Sequence, residues 1–82
     1  MSNAVEVLNY NPPAFPDLSW IKSDKSNVNQ LDDSIGFALM ADGNIAIGIT
    51  TDESQTPIVS TPTKLRAMIA GAKDGQFDHL VA

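Results

Sequence analysis

The sequence predicts a small α+β domain: an antiparallel sheet of three or four short strands with one C-terminal helix. Three observations predict it. Two β-rich runs, residues 35–40 and 45–50, flank the turn-forming Asp42-Gly43-Asn44. Thr61-Pro62 opens a stretch with helical apolar spacing. A chain of 82 residues has room for one core and not two.

The elements follow in order. Residues 1–17 read as a loosely ordered N-terminal arm, and residues 18–82 as the domain. Val5, Val7 and Leu8 have the composition of a short strand or one helical turn, but Asn11-Pro12-Pro13-Ala14-Phe15-Pro16 forbids regular structure. A sharper reading docks Tyr10 and Phe15 on the body or on a second subunit, because two aromatics in a free tail are a wasteful exposure. Residues 18–22 form a strand with Leu18, Trp20 and Lys22 on one side and Ile21 on the other. Residues 23–33 are polar throughout and read as a loop.

The hairpin spans 34–41 and 45–51. A two-residue Asp42-Gly43 turn would pair Met40 with Ile45 and mix large and small residues on both faces. A three-residue turn, Asp42-Gly43-Asn44, pairs Leu39 with Ile47 and Phe37 with Ile49, giving one large apolar face and one small face of Gly36, Ala38, Ala46, Gly48 and Thr50. The second register is the expectation, with Asn44 in the left-handed position. Glycine inside a strand marks the close approach of another element, so the small face awaits the C-terminal helix or a second subunit. Residues 57–60 form an edge strand, since Pro57 has no N–H to give. The helix occupies 62–73: Thr61 caps it, Pro62 starts it, Leu65, Met68, Ile69 and Ala72 form a stripe, and Gly75 ends it.

Composition excludes several function classes. With 43% hydrophobic and 18% charged residues, the chain is too apolar for global disorder. A net charge of −5 argues against holding nucleic acid directly through a basic surface. There is no cysteine, hence no disulfide framework, thiolate metal site or thiol nucleophile. The single histidine, His79, sits in the tail, and no Gly-rich phosphate loop or nucleophile motif is present. The expectation is a protein that is not an enzyme, with no catalytic residues, metal or cofactor. No apolar stretch approaches the roughly 20 residues of a membrane helix, and no signal-peptide pattern opens the chain, so a cytoplasmic location is expected.

Trp20-Ile21-Lys22-Ser23, two short strands, Thr61-Pro62, and a helix running into Ala70-Gly71-Ala72-Lys73-Asp74-Gly75-Gln76-Phe77-Asp78 together resemble the domain-of-unknown-function family 397, small proteins of actinomycete bacteria. The resemblance covers residues 18–78 and rests on its two ends. The middle departs: Ser34-Ile35-Gly36-Phe37-Ala38 stands where the family usually has Asn-Cys-Val-Glu-Val, and Ile47-Gly48-Ile49-Thr50-Thr51 where it has Val-Arg-Asp-Ser-Lys. Leu65 replaces a common Trp, and Lys64 an acidic residue. The resemblance implies a regulatory, antitoxin-like protein that binds and modulates a helix-turn-helix transcription regulator.

The candidate partner-binding residues are the acidic pairs Asp32, Asp33 and Asp52, Glu53, which would meet a basic partner, and Trp20, as a core anchor or an interface hot spot. A domain this small buries roughly 60% of its unfolded surface, which leaves a thin core. A homodimer is therefore expected, with Phe37, Ile47 and Ile49 as self-association candidates on the large hairpin face. The alternative to the regulator reading is a structural, self-assembling protein with no dedicated partner.

Overall fold

The computed structural model describes residues 5–23 and 35–81. Five strands, β1 (Val5–Leu8), β2 (Trp20–Ser23), β3 (Ile35–Leu39), β4 (Ile45–Ile49) and β5 (Ile58–Ser60), precede helix α1 (Pro62–Lys73) and a short 3₁₀ turn at Asp78–Leu80. The strands make one antiparallel meander in the order β1-β2-β3-β4-β5. The antiparallel sheet and the single C-terminal helix are those the sequence predicts. The fifth strand comes from the N-terminal arm, where Val5 pairs with Ser23 and Leu8 with Trp20.

The hairpin register differs from the expected one. Leu39 pairs with Ile45, Phe37 with Ile47 and Ile35 with Ile49, two residues away from the pairing of Leu39 with Ile47. The reason lies in the turn. Gly43 N–H donates to Met40 O at 3.0 Å, and Met40 N–H donates to Asn44 O at 2.8 Å. The loop is therefore Ala41-Asp42-Gly43, and the left-handed residue is Gly43 (φ 89°) rather than Asn44. Glycine adopts that conformation without the Cβ penalty that Asn carries, so it takes the position. Asp42 completes the turn, its carboxylate accepting from Asn44 N at 3.0 Å and from Asn44 Nδ2 at 3.2 Å. A two-residue shift leaves every side chain on its original face, so the division into a large and a small face survives.

The small face is the buried one. Ala38 and Ala46 pair directly and are 2% and 0% exposed. The sequence leaves this face to the C-terminal helix or a second subunit; side chains of β2 and the arm fill it instead. Trp20 from β2, paired with Ala38, lies over it together with Tyr10 from the arm. Phe15, Leu18 and Met40 pack around that cluster. The arm is folded by its own turns, Phe15 N–H donating to Pro12 O at 3.0 Å, and Pro12 is fully buried.

Helix α1 has the expected boundaries and both expected caps. Thr61 Oγ1 accepts from Lys64 N at 3.2 Å, and Pro62 occupies the first turn, where no N–H is missed. At the other end Gln76 N donates to Gly71 O at 3.0 Å and Gly75 N to Ala72 O at 3.1 Å, with Gly75 at φ 73°. These two bonds make a Schellman ending. Phe77 thereby folds back against Gly71, and Lys73 lies at the negative end of the helix dipole.

Candidate interaction surface

The opposite face of the sheet decides what the molecule presents. Register places Ile21, Phe37, Ile47 and Ile58 in one row across β2 to β5. Ile35 with Ile49, and Leu39 with Ile45, lie on either side of that row. No charged residue interrupts these three rows. Yet Ile35 is 51%, Leu39 72% and Ile58 65% exposed. A helix stripe normally covers such a face. Here Leu65 and Ile69 stand off from it, leaving an apolar groove of about 430 Å³ bounded by these two residues above and Ile21, Phe37, Leu39 and Ile45 below. The stripe itself stays open: Met68 is 39% and Ile69 43% exposed.

This arrangement brings the three self-association candidates together. Phe37 and Ile47 are direct cross-strand neighbours, and Ile49 lies on the same face one pleat further along β4. All three are half-buried.

Trp20 is different. It is 0% exposed, edge-on to Tyr10 with ring centroids 4.8 Å apart and planes at 78°. A ring with no accessible surface offers a partner nothing, so Trp20 is a core anchor and not a contact residue. Its cradle is tight. A Cβ on Gly48 would lie 2.8 Å from Tyr10 Oη and 3.2 Å from Trp20 Cζ3, so the glycine is required by the close approach of the two rings. Among the described residues neither Tyr10 Oη nor Trp20 Nε1 finds a protein hydrogen-bond partner. Burial pushes the Tyr10 hydroxyl above its ordinary pKa, and the nearby charges of Glu53 and then Asp52 push it further.

The acidic candidates divide. Asp32 and Asp33 lie outside the described residues. Asp52 and Glu53 sit in the β4–β5 connection and both have intramolecular work. Asp52 accepts from the Ser54 hydroxyl, from Gln55 Nε2 at 3.2 Å and from Ser54 N at 3.0 Å, which closes the turn. The side-chain bonds from Ser54 and Gln55, then the Ser54 backbone bond, hold the Asp52 carboxyl below its ordinary pKa. Glu53 Oε2 accepts from Asn11 N at 3.0 Å and so ties the arm to this connection. Sequence reasoning missed that role, because a contact between residues 42 positions apart leaves no local pattern. Asp52 is half-buried and Glu53 exposed, so one local patch of negative charge lies where the arm meets the β4–β5 loop.

Among the described residues no group of three His, Cys, Asp or Glu side chains could hold a metal ion. His79 is exposed in the C-terminal 3₁₀ turn. Among the same residues no helix is long and apolar enough to cross a membrane. No family model matches the chain, nor does any curated protein or any solved structure.

Proposed function

We propose that this protein is a non-enzymatic protein-interaction module that binds and modulates a helix-turn-helix transcription regulator in the manner of an antitoxin. One observation carries the interaction half of this reading: the chain folds its small residues inward and leaves an uncharged sheet face and a helix stripe open. An apolar surface of that extent is the mark of a protein that works by contact with another protein. The regulator half rests on the resemblance of Trp20-Ile21-Lys22-Ser23 and of residues 61–78 to the actinomycete family. The charge supports it too. A net charge of −5 suits a basic, DNA-binding partner, and an acidic surface can occupy the side chains that would otherwise contact phosphate.

In this reading Asp52 and Glu53, with Asp32 and Asp33, steer the encounter. Complementary charge raises the association rate more than it raises affinity. Asp52→Asn with Glu53→Gln is the informative double substitution, because each amide keeps an oxygen that can accept the bonds from Ser54 and Asn11 while removing the charge. The tagged protein should capture a helix-turn-helix regulator from its native host. The association rate of that pair should fall several-fold on the double substitution, and the difference should vanish as salt approaches about 1 M, where the screening length is about 3 Å. Capture of no regulator, or an association rate indifferent to both charge and salt, overturns the reading.

A further inference from the structure

We infer that the open face of β2 to β5, with the groove beneath α1, is covered by the same face of a second copy of this chain, in a closed two-fold pair. The inference deepens the proposed function: it rests on the open face being a protein-binding surface, and not on the identity of the regulator. Three observations carry it.

The first is area. The six most open side chains of the face and stripe, Ile21, Ile35, Leu39, Ile58, Met68 and Ile69, keep 36% to 72% of their surface in water. These aliphatic side chains sit toward the lower end of the roughly 150–250 Å² of an aromatic, so together they leave on the order of 500 Å² open. That lies in the upper part of the largest-patch range of an ordinary monomer, about 300–600 Å². The half-buried residues of the same rows bring it towards the roughly 800 Å² that each partner contributes to a stable interface.

The second is the poverty of the core. Tyr10, Trp20, Ala38 and Ala46 are its buried hydrophobic members among the described residues, and two of the four are alanines. A domain needs two packed layers around its apolar side chains. Here the arm supplies a layer to the small face, while the helix covers the large face incompletely. A second sheet, at the roughly 10 Å spacing of stacked sheets, supplies the missing layer and shuts the groove.

The third is charge. Each copy carries −5, so copies repel one another, and least where they meet through a neutral surface. The three rows of the large face are such a surface. A two-fold pair of identical faces buries them on both copies at once and leaves no complementary face open for further growth. It also places the Asp52–Glu53 patch of each copy outside the interface, so the pair presents the patch twice.

Sedimentation of the purified protein between about 1 and 100 μM tests the inference. The expected species has twice the 8.7 kDa chain mass. Salt should strengthen it, because screening relieves the repulsion between like-charged copies, whereas salt weakens the association with a basic regulator. Leu39→Asp and Ile58→Lys, both at outward positions, should each return the protein to the chain mass with the far-UV circular dichroism unchanged. A wild-type chain that sediments at 8.7 kDa throughout this range overturns the inference, and so does a pair that survives both substitutions or an open series of higher oligomers. If either variant loses its fold, the wild-type mass and its salt trend decide. A monomer that still captures a regulator sinks the pair and spares the proposed function. A salt-strengthened pair that captures none does the reverse.

Discussion

Gly48→Ala is a one-carbon substitution on a strand, and ordinarily such a change is harmless or mildly stabilising. Replacing Gly by Ala where the backbone allows it gains about 0.4–1 kcal/mol by restricting the unfolded chain. The geometry at this site reverses the sign. The new Cβ would lie 2.8 Å from Tyr10 Oη, and 3.2 Å from both Trp20 Cζ3 and Tyr10 Cε2. Neither ring has free space to move into, since Tyr10 is 4% and Trp20 0% exposed. Overpacking of this kind costs about 1–3 kcal/mol, and two blocked rings place it in the upper half of that range. The net loss is then about 1–2 kcal/mol. For a domain of this size that lowers the melting temperature by roughly 5–15 °C. The assay is thermal unfolding at one fixed protein concentration, because association shifts the midpoint. Tyr10→Phe provides the internal control. It removes the atom nearest the new carbon, and its loss alone should stay within about 0.5 kcal/mol, since the hydroxyl has no protein partner among the described residues. In the double variant Tyr10→Phe should recover part of the Gly48→Ala loss, with a coupling of at least about 0.5 kcal/mol. A Gly48→Ala protein that melts at or above wild type refutes the reasoning, and so does the absence of coupling.

Two further outcomes are expected. Thr61→Ala removes the oxygen that accepts from Lys64 N and should cost about 1 kcal/mol, read as a lower melting temperature with α1 fraying first in hydrogen exchange. Tyr10 is the sole tyrosine, and its hydroxyl is held above the ordinary value of 10.0 by burial and then by Glu53 and Asp52, so the fold favours its neutral form. That contribution is complete below about pH 10 and is lost as pH climbs through the raised folded value. Tyrosinate absorbance should therefore appear later in the folded protein than in urea, and Tyr10→Phe should flatten the alkaline loss of stability. A tyrosine that ionises at the same pH in both states contradicts the burial.

The helix and the sheet differ in how much of them was legible in the sequence. Helix α1 is readable to the residue, because Thr61, Pro62 and Gly75 each act on the backbone within a few positions. The hairpin is readable only in part. Burial fixes which residues share a face, and Phe37, Ile47 and Ile49 do share one. Burial does not distinguish registers two residues apart, since both keep those faces. Turn chemistry does distinguish them, and Gly43 outcompetes Asn44 for the left-handed position. Which face turns inward is harder still, because both faces are apolar and periodicity is blind to the choice. The usable signal was the mutual fit of large and small. Gly48 and Ala38 leave room that Trp20 and Tyr10 fill, whereas Phe37 among isoleucines leaves none. The docked arm and the Glu53–Asn11 bond are long-range contacts with no local signature. The acidic patch was visible as charge, but its work in closing the β4–β5 turn depends on hydrogen bonds that only the folded chain shows.

The small face forms the core and the large face is left open. Ala38 and Leu39 are adjacent in β3 and point to opposite sides, being 2% and 72% exposed. Near-UV circular dichroism of Ala38→Asp and Leu39→Asp distinguishes the two faces, since the single tryptophan and the single tyrosine both sit in the small-face core. An unpaired carboxylate at position 38 faces the Trp20 ring and costs several kcal/mol, enough to unfold a domain of ordinary stability. Ala38→Asp should abolish the near-UV signal while Leu39→Asp retains it. A retained signal in Ala38→Asp, or a lost one in Leu39→Asp, would contradict this assignment of the faces.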